Sequence, residues 1–468
     1  MEYIAIIIII GFIYEAISWF HRIHTASLWI EKERGLFDSQ IPIPPKRIVI
    51  LLPVLNESAI LNQTVRYFST NFLENSENVR LAIITTGAET LRLGQESTID
   101  IAHTCANRYR NVMHYHYPNA TGRMAHQLNY AIEILRAKGE ILDDDLISVY
   151  NGDSRPEKQT LNWIQWKSSE SKCKAFQQYG CYSGNMSGLG HSKWSSVLVS
   201  AALWQTRWAV GFEIYNAIKQ VRTSQQNKKM SIFDPLNYCI GHGLFITSKL
   251  LNEVGGFSEN THNEDAMLGL QLSNLKELLI PVPYFDVSES PDTLKMLYIQ
   301  KSNWFFGPLQ SYAYARKIFR ESNYSISRSI RLIILSLKLF SHAVFWILGP
   351  TLMFILICIT IISHKGPLIF FTLVASVLFA APNISSYSIM MKHQITSSRL
   401  GYLKMAQLLF KGFLVFYLMH GLSAIRGLSK YTIQLLSGRV SVKEKTIINR
   451  YPTQTVNSGL DKPSHANY

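Results

Sequence analysis

Long apolar runs sit toward both ends of the chain, and short apolar runs broken by polar turns fill its middle. The first long run, YIAIIIIIGFIYEAISWF (Tyr3 to Phe20), is interrupted only by Glu15, and it has about the minimum length for crossing a bilayer core. The chain opens Met-Glu-Tyr instead of with basic residues, and HRIHTASLW follows the run where a cleavage site would stand. An uncleaved transmembrane anchor over residues 1–22 is therefore expected. From Ile330 to Ser363 the widely spaced Arg331, Lys338 and His342 predict an interfacial amphipathic helix feeding a span that begins near Ala343. Gly366 to Met391 predicts another span. Leu400 to Leu428, which holds Lys404, Lys411 and His420, predicts a segment that crosses the bilayer or lies partly in its interface. Residues 328–430 thus form a C-terminal membrane and interfacial set. Residues 438–468 read as a basic polar tail with a disordered end, QTVNSGLDKPSHANY.

The middle, residues 46–315, has a different rhythm. RIVILLPVLNES carries a continuous apolar strand stopped by Pro53 and the turn Asn56-Glu57-Ser58, and AILNQTVRYFST continues as a helix. Fully apolar strands that alternate with helices are the mark of a parallel sheet covered on both faces. VRLAIITTGAET, NVMHYHYP and DLISVY supply further strands, while STIDIAHTCANRY and RMAHQLNYAIEILRAKG supply helices. Open sheets of this kind bind ligands at the carboxyl ends of their strands. The segments Pro53 to Glu57, Thr85 to Glu89 and Asn151 to Asp153 all follow strands and are expected to line one crevice. The DDD run, Asp143 to Asp145, precedes its strand and reads as a solvated turn.

Charge and cysteine content narrow the class. The 468 residues carry 46 Lys+Arg against 32 Asp+Glu, a formal net charge of +14, with a pI of about 9.4. That balance suits an anionic membrane surface, a polyanionic substrate or nucleic acid. The mean hydropathy of +0.05 is high for a soluble chain and favours the membrane. Five scattered cysteines form no C-x-x-C pair. Neither a zinc site nor a disulfide framework is suggested, and a reducing compartment is expected for the main domain.

Five motifs in order resemble family 2 glycosyltransferases of the GT-A fold: LLPVLNES, TGRMAHQLNYAI, YNGDSRP, GHGLFITSKLLNEVGGFSENTHNED and QKSNW. The likeness is to membrane-embedded polysaccharide synthases of the hyaluronan, cellulose and poly-N-acetylglucosamine type. SVKEKT in the tail is similar to an ending found in some of them. The resemblance implies an α/β, Rossmann-like GT-A domain over 46–315, inserted between transmembrane helices. It also implies a cytoplasmic catalytic domain in a multi-pass protein of the cell's inner (plasma) membrane. The implied activity is hexosyl transfer with inversion from a nucleotide sugar, a UDP-sugar by preference, using Mg2+ or Mn2+. The implied partners are that donor, a polysaccharide or lipid-linked acceptor and the lipid bilayer, with no nucleic acid.

Residue by residue, the resemblance implies donor binding by Pro53, Asn56, Glu57, Glu89, Arg123, Asn151 and Asp153, with Asp153 the metal ligand. A lone Asp before Ser-Arg-Pro is otherwise a turn residue. Asp265 is the implied general base and Glu264 its supporting neighbour, against the plain alternative of acids capping a helix. On the acceptor side stand Gly241, His242, Gln300 and Trp304, where a packed loop His and an interfacial Trp are the alternatives. For Glu89 a solvated side chain is the alternative.

Two positions depart from the family. Asn151 replaces the first Asp of D-x-D, and Asn303 replaces the Arg of Q-x-x-R-W. The second change removes a bidentate phosphate contact, for which Lys301 or Arg123 is the expected substitute. The departures also keep open an inactive, polysaccharide-binding subunit. Transfer of one sugar to a polyprenyl phosphate is a further alternative. The charges place the amino terminus outside and 46–315 in the cytoplasm. Four crossings would then put the basic tail outside, so the region of Lys404 and Lys411 is expected to be interfacial.

Overall fold

The computed structural model describes residues 1–38, 46–74, 76–90, 96–171, 173–226, 231, 234–321, 324–396 and 400–437. The expected tail, 438–468, lies outside the described residues.

Helix α1 (Glu2–Asp38) runs unbroken through the first apolar segment and well past it. The α/β unit then begins with β1 (Ile48–Pro53), α2 (Ser58–Phe68), β2 (Val79–Thr86), α3 (Thr98–Arg108), β3 (Val112–Tyr117), α4 (Met124–Ala137) and β4 (Leu146–Val149). It continues with α5 (Thr160–Ser171), β5 (Ala175–Gln177), β6 (Gly180–Cys181), α6 (Met186–Leu189), α7 (Ser195–Trp208), a π-helical turn (Ala209–Ile214) and α8 (Tyr215–Gln225). After β7 (Leu244–Thr247) come α9 (Ser248–Glu253), α10 (Glu264–Leu275), β8 (Leu279–Pro281), β9 (Asp286–Val287), α11 (Leu294–Leu309) and α12 (Ser311–Glu321).

Seven strands form one sheet in the order β3-β2-β1-β4-β7-β5-β8, and β6 pairs with β9 beside it. The large sheet is parallel except for β7, which runs antiparallel to both β4 and β5. Strand β1 shows why its residues must be apolar throughout. Ile48, Ile50 and Leu52 pack with Leu61, Val65, Phe68 and Ile101 of α2 and α3. The alternate Val49 and Leu51 pack with Leu128, Ala131, Ile132 and Leu135 of α4. A strand alternates its side chains between faces, so a sheet covered by helices on both sides leaves no position for a polar residue.

The DDD run is not a solvated turn throughout. Asp145 is 6% exposed, pairs with Arg47 at 2.8 Å and accepts the Leu142 amide. An acid at the amino end of β4 closes the turn into the strand and needs that cation to be buried.

Among the described residues four helices are long and apolar enough to cross a membrane: Glu2–Asp38, Ile326–Ser363, Gly366–Lys392 and Tyr402–Ser437. The second of these runs without a break through Ala343, where the span is expected to begin. Helix α13 (Ile326–Ser363) is continuous over 38 residues, about 57 Å at 1.5 Å per residue. Its first half packs Leu332, Leu335 and Leu339 on Met267, Leu270 and Tyr314 of the α/β unit. The third candidate consists of α14 (Gly366–Ala380) and α15 (Pro382–Lys392), joined at Ala381. The last is α16 (Tyr402–Ser437).

The sequence reading passed over α7. This helix lies between α1, α14 and α16, and its Arg207 is 1% exposed. The Arg207 guanidinium sits 4.2 Å from the rings of both Trp19 and Trp204 and donates to the Phe379 carbonyl at 2.9 Å.

Candidate active site

A crevice of about 910 Å³ opens at the carboxyl ends of β1, β2 and β4. Pro53 to Glu57, Thr86, Ala88 and Asn151 to Asp153 line it, as do Arg123, Gly241, His242, Glu264, Asp265, Gln300, Asn303 and Trp304. Residues from 53 to 304 are thus brought together. Glu89 is the exception: its carboxylate accepts from Ser97 Oγ and the Thr98 amide and so caps the amino end of α3.

The turn that carries Asp153 does not depend on it. The Ser154 amide donates to the Asn151 carbonyl at 3.1 Å, and the Asn151 amide donates to Ser154 Oγ at 3.2 Å. The Asp153 carboxylate makes no hydrogen bond or ion pair among the described residues. Gly152 has a steric reason, since a Cβ there would lie 2.6 Å from Glu57 Oε2. Asn56, at φ 53°, adopts the left-handed conformation that Asn tolerates. It ties the β1 loop to the β2 loop by accepting from the Thr90 amide at 3.0 Å.

Two loops meet at Asp265. Residue Asn263, not Asp265, is the N-cap of α10, and it makes no side-chain cap. Asp265 therefore sits one position inside the helix, where the dipole favours an anion. Its Oδ2 comes within 3.3 Å of where a Cβ on Gly241 would stand. Gly243 needs φ +68°, and any Cβ there would lie 2.6 Å from the Gln178 carbonyl. The Gly-His-Gly loop thereby passes close beneath the candidate base. Asn129 of α4 holds the neighbouring Gly-Gly-Phe turn, donating to Phe257 O at 2.8 Å and accepting the Phe257 amide at 3.0 Å.

Asp286, which the sequence reading missed, joins the two sides. It is fully buried and accepts from Ser154 Oγ at 2.8 Å and from the Arg155 amide at 2.7 Å. His242 Nδ1 lies 2.7 Å from its Oδ2. Burial opposes charge on the His242 imidazole, but Asp286, together with Asp153 and Glu213, holds its pKa above the ordinary value. Nothing in PYFDVSESP marks Asp286, because its partners lie far away in sequence.

Lys301 is not the substitute cation expected for the missing Arg. It is 1% exposed, donates to Gln205 Oε1 at 2.6 Å and lies over the Trp304 ring at 4.2 Å. Burial lowers its pKa to about 7. Arg123 does line the crevice and donates to the Thr261 carbonyl at 2.8 Å. Among the described residues six acids, Glu57, Asp153, Glu213, Glu264, Asp265 and Glu289, line the crevice against this one Arg and no Lys.

That balance bears on a metal. Among the described residues no group of three or more His, Cys, Asp or Glu is arranged to hold one. A hard divalent cation bound through one carboxylate and substrate phosphates needs no such group. A diphosphate entering so acidic a crevice would need a companion cation, and the Asp153 carboxylate, which makes no hydrogen bond or ion pair among the described residues, is placed where it would hold one.

An open sheet with one reversed strand and a ligand crevice at its carboxyl edge is the GT-A-like arrangement. Residues 194–383, about two fifths of the chain, match the model for glycosyl transferase family group 2, and the chain is a glycosyltransferase. Comparison with the curated proteins finds no match. Among solved structures the chain is similar to a mannosyltransferase from Pyrobaculum calidifontis, PcManGT, in complex with GDP-Man and Mn2+. That likeness has 11% identity and a TM-score of 0.43, over 89% of this chain and 99% of that one. It is also similar to S. aureus TarS 1-349, at 8% identity and TM-score 0.35, over 84% and 92% of the two chains. Both likenesses are distant.

Proposed function

We propose that the crevice transfers a sugar, with inversion, from a nucleotide sugar to a polysaccharide at the membrane. A UDP-sugar is the preferred donor. The observation that supports this reading most is the meeting of Asp153 and Asp265 on one crevice, from segments more than a hundred residues apart. The loops after β1, β2 and β4 take the nucleoside, and Arg123 takes part of the diphosphate charge. Asp153 would hold Mg2+ or Mn2+, which when bound offsets charge on the leaving diphosphate. Asp265 accepts the proton of the acceptor hydroxyl as that oxygen attacks the anomeric carbon. Glu264 supports Asp265 at the amino end of α10, and Gly241, His242 and Gln300 border the acceptor. Trp304, whose ring packs edge-on against Tyr182 at 6.1 Å, offers its face to the acceptor sugar.

The domain, about 46–315, is read as cytoplasmic, with the helices around it in the cell's inner (plasma) membrane. Incubation of the purified protein with a panel of nucleotide sugars and Mn2+ tests the proposal. Nucleotide release with one donor, abolished by EDTA, is expected. The size of the wild-type product separates polymer synthesis from transfer of one sugar to a polyprenyl phosphate. A ladder is expected, and a single added sugar on extracted lipid would replace the polymer reading.

A further inference from the structure

Beside Trp304, one wall of the crevice holds residues that have no part in the chemistry above. Tyr182, Gln205, Trp208 and Glu213 line it together with Trp304. Glu213 sits in the π-helical turn between α7 and α8 and is 4% exposed. Single π turns within helices recur at functional sites. This one places an acid inside the apolar run WAVGFEIY, a costly position unless the carboxyl has a partner.

Its surroundings are set. Burial pushes its pKa up to about 8, Trp208 is hydrogen-bonded to it, and the charged groups that reach it are His242, Asp265 and Lys301. Near neutral pH such a carboxyl carries its proton much of the time, so it both donates and accepts hydrogen bonds. Lys301 is committed to Gln205 and the Trp304 ring and is not part of the lining.

The wall therefore presents flat rings, a carboxyl and amides. Rings and hydrogen-bonding groups in alternation match the apolar faces and the hydroxyls of a sugar. Among the described residues a phosphate would meet Glu213 and Asp265 with no Lys or Arg on this wall, since of these residues Arg123 alone carries such a charge into the crevice, from the start of α4. We propose that Glu213 is a specificity-determining residue of an acceptor subsite that takes an uncharged or amine-bearing sugar and rejects a phosphate-ended acceptor. This inference rests on the reading of the crevice as a sugar-transfer site.

The test is calorimetric titration of the full-length protein, with UDP and Mn2+ present, in a detergent without a sugar headgroup. Cellobiose, the glucosamine disaccharide of chitosan and citronellyl phosphate serve as probes. The wild type is expected to bind at least one disaccharide more tightly than citronellyl phosphate. Glu213→Ala should weaken that disaccharide at least tenfold. Glu213→Gln, which keeps a hydrogen-bonding tip, should stay within threefold of wild type. UDP affinity should match wild type in both variants and shows that the crevice is intact. Equal disaccharide affinity in Glu213→Ala overturns the proposal, as does tighter binding of citronellyl phosphate or no disaccharide binding by the wild type. If Glu213→Ala does not fold, the wild-type preference between disaccharide and phosphate decides alone. Failure of the wild type to bind UDP would instead sink the sugar-transfer reading itself.

Discussion

Asp286 accepts hydrogen bonds from Ser154 Oγ and the Arg155 amide, and His242 Nδ1 lies against the same carboxylate. It thereby holds the Asp153 turn and the Gly-His-Gly loop in one geometry. Asp286→Asn puts an NH2 group where one of these donors now points. Loss of a partner of this kind commonly costs 10- to 100-fold in metal affinity or activity. We expect a drop of that size in donor turnover, with weaker Mn2+ binding in the presence of UDP by electron paramagnetic resonance and a lowered melting temperature, because a buried donor loses its acceptor. Asp153→Ala should abolish metal-dependent turnover, because its turn is closed by Ser154 and survives the change. Turnover with unaltered metal dependence would remove Asp153 from the metal site. Asp265→Asn should leave nucleotide-sugar binding nearly intact and slow transfer by about 10²–10⁴-fold, read as single-turnover rates at saturating donor. Weak donor binding with normal saturated turnover would make Asp265 a binding residue.

Between elements, the contact of α16 with α7 is the tightest in the membrane-side half. A Cβ on Gly412 would lie 2.1 Å from both the carbonyl carbon and the oxygen of Ser196. Backbone atoms on a packed helix cannot step aside as a flexible side chain does. Overpacking of a core typically costs about 1–3 kcal/mol, and a clash with backbone belongs at the upper end. Gly412→Val is expected to lower the thermal unfolding midpoint in detergent, whereas Gly401→Val, with open space around its Cβ, should leave it unchanged. Helix α7 escapes sequence patterning at this same scale. Its apolar positions face several different helices, so no single stripe with the 3.6-residue period marks it out.

For the molecule as a whole, orientation is the open consequence of the charges. Among the described residues four helices satisfy the length and composition of a span, and four crossings would carry the basic tail to the side opposite the catalytic domain. Helix α16 packs on α7 through Gly412 and on α11 through Gly427, whose Cβ would lie 2.6 Å from Phe305 Cδ1. Both partners belong to the 46–315 segment, and the positive-inside rule, which keeps a basic tail on the side of the catalytic domain, favours an α16 that does not cross. A cysteine introduced at Ser458 is therefore expected to resist labelling from outside intact cells and to label after permeabilisation. Strong labelling of intact cells would place α16 across the bilayer.

The alternation of short apolar strands with helices, and the long apolar runs around them, were legible in the sequence because both follow from local solvation. A strand buried on both faces must be apolar at each step, and a span must exclude charge for its length. The loops at the strand ends were legible for the same reason, since turns carry their own residue types. Asp286, the Glu213 wall and the burial of Lys301 were decided only by the tertiary structure. Each depends on partners from other segments: Ser154 and His242 for the first, His242, Asp265 and Lys301 for the second, Gln205 for the third. A single acid or lysine in a sequence looks the same whether water or a distant side chain satisfies it, and only the packing of the chain decides which.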